Sequence, residues 1–392
     1  MSCKTKSDLE NRLEEIKSTI HEMGNLSEDA MKEARSRQEI LAKPTGALGT
    51  LEAISIQLAG ITGKVKNYMT KQAIVIMSAD NGVVEEGVAS APQSVTLSQT
   101  INFTRHYTGV SSMAEYFGID LLVVDTGVKL PIPESLYSQE MTEHSCSDYG
   151  CRHGLTNKIV NRRIADGTKN LAKEPAMSQQ EALECIMTGM EAAEAIKRCG
   201  YDIFGIGEMG IGNTTTSACV LAALCEKKGD DVVGRGGGLN DAGLLKKIEI
   251  VDKAIAGLKS SDVLDILAKV GGFDICAMVG AFLGAAYYKM PVVIDGYISA
   301  VAALAASRLA PETVNFMFGS HQSKEKGYII AMDALGVKPY FNLGMRLGEG
   351  SGCPISFKII ETACAAMNGM RTFDEASIDA DYLEEGKKGN FF

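Results

Sequence analysis

Near the C-terminus, the stretch Gly344-Met345-Arg346-Leu347-Gly348-Glu349-Gly350-Ser351-Gly352 sets four glycines around one carboxylate. Glycine lets the backbone bend sharply and approach a ligand closely, and the apolar run Pro339-Tyr340-Phe341-Asn342-Leu343 leads straight into the turn. A carboxylate so placed is a candidate proton acceptor. Three further acids, Asp80, Glu208 and Asp295, also follow apolar runs or glycine turns. Singly, each serves equally well as a turn former or helix cap. Together they point to proton removal, which requires enough burial to bring a carboxyl pKa toward neutrality.

Two glycine loops add a second kind of chemistry. Gly210-Ile211-Gly212-Asn213-Thr214-Thr215-Thr216 presents backbone amides and hydroxyls at a helix start, a fit for a single phosphate. Gly234-Arg235-Gly236-Gly237-Gly238-Leu239-Asn240-Asp241 also precedes a helix, with Lys246 and Lys247 one to two turns along it. Its plain alternative is a tight turn with a cap, but two such loops favour a phosphorylated substrate. Gly205-Ile206-Gly207-Glu208-Met209-Gly210 matches the dinucleotide pattern GxGxxG after a strand. There Glu208 would face the pyrophosphate and no ribose-binding acid follows, so the match is weak. Val123-Val124-Asp125-Thr126-Gly127 is distantly similar to a pyrophosphorylated-ribose loop but lacks the paired acids that would hold Mg²⁺, so it reads as a strand end. His144, Cys146, Cys151 and His153 fall in a spacing that matches no familiar zinc site. No metal site is assigned, and whether those four bind one is left open.

The elements that must position these residues are short apolar runs ending in polar turns. Ala73 to Met77 runs into Ser78-Ala79-Asp80-Asn81-Gly82, Leu121 to Val124 into Asp125-Thr126-Gly127, and Asp202 to Phe204 into the first glycine loop. Val292 to Ile294 runs into Asp295-Gly296, and Val314 to Phe318 into Gly319-Ser320-His321. Fully buried strands alternating with helices predict a parallel α/β sheet, whose ligands bind beyond the carboxyl ends of the strands. Helices are expected around Leu51 to Ile61, over Gln179 to Cys199 and over Asp241 to Leu258. The spacing of Leu9, Leu13, Ile16 and Ile20 predicts a first helix, and a second pattern from Ser27 follows; both read as interaction helices. Pro131 to Asn157 reads as an irregular surface excursion.

With 45% hydrophobic content over 392 residues, the chain can bury a large core. A net charge of −10 without clustered Lys and Arg argues against nucleic acid as a partner. No run approaches the roughly 20 apolar residues of a membrane span and no signal-peptide core is present, so a cytoplasmic protein with no membrane partner is expected. Ten cysteines are too sparse for a disulfide scaffold and read as reduced thiols.

Taken together, the segments resemble the nicotinate-nucleotide:dimethylbenzimidazole phosphoribosyltransferase family, which makes the lower-ligand nucleotide of cobamides. The likeness runs in order from Lys43-Pro44-Thr45-Gly46-Ala47-Leu48-Gly49 through Ala79-Asp80-Asn81-Gly82-Val83, Glu85-Glu86-Gly87-Val88 and Pro92-Gln93. It continues through Gly207-Glu208-Met209-Gly210-Ile211-Gly212-Asn213-Thr214-Thr215, Asp295-Gly296 and Ser320-His321 to Arg346-Leu347-Gly348-Glu349-Gly350. It thus covers nearly the whole chain. The resemblance implies a doubly wound parallel α/β large domain over residues 71–354. It adds a small helical domain from both termini, residues 1–70 and 355–392, and a homodimer. It further implies that an aromatic base attacks the ribose anomeric carbon of nicotinate mononucleotide, inverting it from β to α as nicotinate leaves. No metal or cofactor is implied, because the pyridinium departs as a neutral ring.

On matching positions, Glu349 is the expected general base, with Glu208 and Asp295 as acids beside it. Ser78, Asn81, Gln93 and Met209 are expected around the aromatic base. Gly210, Asn213, Thr214, Gly236, Gly237, Gly238, Lys247 and Ser323 are expected at the nucleotide and its phosphate. Two departures bear on specificity: Asn81 stands where the family usually has His and cannot titrate, and Gly234 to Gly238 replaces a loop that more often carries proline and threonine. A related branch activates phenol or p-cresol with a pair of unlike subunits, so a heterodimer with a paralogue is the alternative assembly. The rival functions are an NAD-dependent oxidoreductase built on GxGxxG and a non-catalytic subunit that binds nucleotide in support of a partner.

Overall fold

The computed structural model describes residues 5–143 and 154–379. In chain order the helices and strands begin with α1 (Lys6–Met23), α2 (Glu28–Ile40), α3 (Thr50–Thr62), β1 (Gln72–Ala79), α4 (Ser94–Phe103), α5 (Gly109–Phe117) and β2 (Asp120–Gly127). They continue as β3 (Tyr137–Ser138), β4 (Ile159–Asn161), α6 (Gln179–Arg198), β5 (Ile203–Met209), α7 (Asn213–Cys225), α8 (Gly229–Val232) and α9 (Asp241–Ala256). The last are α10 (Val263–Val270), α11 (Phe273–Tyr287), β6 (Val292–Ile294), α12 (Tyr297–Leu309), β7 (Met317–Phe318), α13 (Gly327–Leu335) and α14 (Cys353–Gly369).

Among the described residues, seven strands form one parallel sheet in the order β3-β4-β2-β1-β5-β6-β7. Every residue of β1 and β5 is buried, as befits central strands covered by helices on both faces. The fold is therefore the expected α/β class with a doubly wound sheet. Two expectations need correction. Val314 to Phe316 belongs to a 3₁₀ turn over Pro311–Phe316, because Pro311 presets a first turn, and only Met317 and Phe318 join the sheet. Within the supposed excursion, Tyr137 and Ser138 add an edge strand, and the Tyr137 hydroxyl donates to Asp125 at 2.5 Å. His144, Cys146, Cys151 and His153 lie outside the described residues.

The helical periphery divides by packing. The buried stripe Leu9, Leu13, Ile16 and Ile20 of α1 belongs to the main core, where α1 rests on α6 and α11. A separate small cluster, Ala30, Ala34, Ala59 and Met367, joins α2, α3 and α14. Arg37 clasps the two termini by donating to the Met367 carbonyl at 2.9 Å. Helices α3 and α14 also give Ile54, Leu58, Phe357 and Ile360 to the main core, so they join α2 to it. Among the described residues, no helix is long and apolar enough to cross a membrane.

Candidate active site

From β1 the chain passes to β2 on one side, whereas β5 passes to β6 and β7 on the other. The connections diverge between β1 and β5, and the crevice beyond their carboxyl ends is where such a sheet binds ligands. The glycine-flanked Glu349 turn lies over that end of β5. The GxGxxG match is not a loop, since Gly205 to Met209 are strand residues. Its glycines serve close approach: a Cβ on Gly207 would stand 2.6 Å from the Glu349 carbonyl carbon, and one on Gly205 would stand 2.6 Å from Cys353 Cβ. Only a strand bare at both positions lets the turn and the start of α14 settle against it.

Glu349 is buried and has φ +64, the left-handed region that side chains other than glycine rarely adopt. Two carboxylates hold its backbone there. The Glu349 amide donates to Glu208 Oε1 at 3.2 Å, while the Gly350 and Gly352 amides donate to Asp295 Oδ2 at 3.0 Å and Oδ1 at 2.6 Å. Asp295 is itself fixed, its amide donating to Ser299 Oγ at 2.8 Å and its carbonyl accepting from Ser320 Oγ at 2.6 Å. Burial pushes His321 beside it down to about 4, so that imidazole is neutral.

The donors to the Glu349 carboxylate are neutral. Gln99 Nε2 donates to Oε1 at 3.2 Å, and the Val110 amide at the start of α5 donates to Oε2 at 3.3 Å. Burial raises this carboxyl above its ordinary range, and the Val110 and Gln99 bonds pull part of the way back. Burial also raises Glu208 to about 7, against the Asn213 hydrogen bond, and Asp295 to about 8, against the Gly352 and Gly350 amides.

A third buried acid completes the cluster. Asn213 Nδ2 donates to Glu208 Oε2 at 2.5 Å and to Asp274 Oδ2 at 3.1 Å, one amide hydrogen for each. Burial raises Asp274 to about 8. Since Asp274 titrates near 3.8 when unfolded and near 8 when folded, the folded chain holds the extra proton, and this group's contribution falls as pH rises through about 8. Asp274→Asn cannot ionise there. The melting temperature of that variant relative to the parent is expected to rise as pH goes from about 6 to about 9. Parallel melting curves across that range, read by scanning calorimetry, would exclude a raised pKa at Asp274.

A cavity of about 290 Å³ opens over this cluster. Of the sequence-predicted residues it is lined by Glu349, Glu208, Asp295, Met209, Gly210, Asn213, Thr214, Gly236, Gly237 and Ser323. Lys247 stands behind the lining: it is fully buried, donates from Nζ to Thr214 Oγ1 at 2.8 Å, and so ties the two glycine loops together. Burial lowers its pKa to about 8. Gly238, Ser78, Asn81 and Gln93 are not part of the lining. Asn81 is fully buried beneath it, where its carbonyl accepts from Gln93 Nε2 at 3.4 Å. Ser78 is buried within β1. Asp80 pins neighbouring segments, accepting from Thr96 Oγ1 and from the Lys129 amide, each at 2.8 Å. Sequence reading missed Gln99 and Asp274. The faint signal for Gln99 is the polar face Thr96, Gln99 and Thr100 on α4, at helical spacing after Pro92-Gln93.

A phosphoribosyltransferase family model matches residues 23–378. A relative from Clostridium perfringens with the name nicotinate-nucleotide--dimethylbenzimidazole phosphoribosyltransferase is 50% identical over 364 residues, 92% of this chain and 95% of that protein. The chain belongs to this phosphoribosyltransferase family. A relative of the same name from Clostridium tetani is 43% identical over 94% of the chain and 96% of its own length. Among solved structures, CobT from Thermus thermophilus superposes with a TM-score of 0.82 at 34% identity, covering 90% of this chain and 99% of that one. Agreement over that span takes in the α/β layer, so the fold is the family's.

Proposed function

We propose that the chain transfers the phosphoribosyl group of nicotinate mononucleotide to an aromatic lower-ligand base such as dimethylbenzimidazole, giving the α-ribotide and free nicotinate. The observation that supports it most is Glu349: a buried carboxylate with raised pKa, met by neutral donors, facing a cavity that the Gly210 and Gly236 loops also line. A ring nitrogen of the acceptor attacks the anomeric carbon as the bond to nicotinate breaks, its electron pair passing to the departing pyridine nitrogen. The acceptor's N–H proton passes to Glu349. Glu208 and Asp295 hold the turn that carries this base. Thr214, Gly236, Gly237 and Ser323 suit the nucleotide and its phosphate, with Lys247 supplying positive charge from behind. Val88, Ala89, Ala91 and Met209 offer an apolar wall for the aromatic ring. Nicotinate mononucleotide and the base are the partners in this reading, and a dimer is its assembly. Incubation of the purified chain with nicotinate mononucleotide and a panel of benzimidazoles and phenols is expected to release nicotinate. No release with any acceptor, alone or with a paralogous chain, would overturn it.

A further inference from the structure

Glu349 depends on a residue that neither the sequence motifs nor the similar proteins' names single out. Gln99 lies on α4 and lines the cavity, 250 positions away from the carboxylate it touches. Its Nε2 donates to Glu349 Oε1 at 3.2 Å, and Asn102 Nδ2 one turn along donates to Gln99 Oε1 at 3.2 Å. Both bonds agree on which end of the Gln99 amide faces Glu349, since the reversed amide would set an oxygen against the carboxylate and a nitrogen against the Asn102 nitrogen. We propose that Gln99, oriented by Asn102, is a positioning residue that aims the Glu349 carboxylate at the acceptor's proton. The proposal rests on the reading of Glu349 as general base and deepens it.

Charge decides why an amide suits this place. A cation at Gln99 would hold Glu349 ionised at the expense of its basicity, and an apolar residue would leave an oxygen unsolvated. A neutral donor at 3.2 Å steers the carboxylate without neutralising it. The charged residues sharing the cavity with Glu349 are Glu208 at the end of β5, Asp295 after β6, Arg235 and Glu325 on flanking loops and Arg346 on its own turn. From α5 the carboxylate receives only backbone amides, those of Gly109 and Val110, and from α4 only Gln99. Those charges are common to the parent and to the neutral variants below, so a shift between them reports the amide.

The test is the pH profile of kcat/KM for nicotinate release. Gln99→Leu removes a donor from the charged form and frees the carboxylate to turn, so the acid limb is expected to move up by about one pH unit, about tenfold less activity on that limb, and the plateau above it to fall as well. Gln99→Glu, close in size, sets a second carboxylate against the first and is expected to move the limb further. Asn102→Ala frees the Gln99 amide to turn and is expected to give a smaller shift in the same direction. A lowered plateau with an unmoved limb in these variants would mean that Gln99 only packs, and the proposal would fail. Glu349→Gln, assayed beside them, separates the two readings. Should it retain turnover, the general-base reading falls. Should it lose turnover while the Gln99 variants keep the parent limb, only the present proposal falls.

Discussion

Glu349→Gln is expected to lower nicotinate release by about a thousandfold while leaving the fold and nucleotide binding in place, since general-base catalysis typically contributes factors of that order. The substitution keeps the length of the side chain, and its amide oxygen can still accept from the Val110 amide that now meets Glu349 Oε2. It removes the ability to take a proton. The three backbone bonds to Glu208 and Asp295 do not involve the 349 side chain, so the turn keeps its shape. Turnover in the variant should not be rescued at higher pH, because no ionisable group is left at that point. Steady-state kinetics with a calorimetric titration of nicotinate mononucleotide check both halves. Retained turnover with intact binding would refute the assignment of the base.

Gly207→Ala is the second large effect, and it removes no chemical group at all. Gly207 lies in β5 with its missing side chain aimed at the turn, so an added methyl meets the Glu349 carbonyl and also Ile76 Cδ1 at 2.7 Å. Strand β5 is central and paired on both sides, to β1 and to β6, so the turn rather than the strand must give way. A displacement of the base by even about 1 Å is expected to cost roughly a hundredfold in kcat. The variant should still fold, with unchanged secondary structure by circular dichroism, and should still bind nucleotide. Parent-level kcat in a folded Gly207→Ala protein would mean that the contact between strand and turn does not set the position of Glu349.

Much of this arrangement was legible because sheets buried on both faces leave a strong trace. Ala73 to Met77 and Leu121 to Val124 are apolar without interruption, and the polar turns after them mark the carboxyl ends of strands. Very short strands leave no such trace: β3 has two residues and β4 three, too few for any period to show. The glycines of β5 were misleading in a specific way. A GxGxxG pattern signals close backbone approach, and close approach does occur, but to the protein's own turn rather than to a pyrophosphate. At the site, residues adjacent to strand ends or in glycine loops were found from sequence because local chemistry marks them. Gln99 and Asp274 were not, since each acquires its meaning from a partner far along the chain, Glu349 for one and the Asn213 amide for the other. Asn81 shows the converse, a residue at a strand end that folds beneath the cavity instead of into it.

The left-handed backbone at Glu349 sets stability and usefulness against each other at one position. Glycine is the residue most at ease at φ +64, and a carboxylate buried there carries a desolvation cost as well. A change at this position that favoured a sturdier protein would therefore run toward glycine, at the expense of the carboxylate.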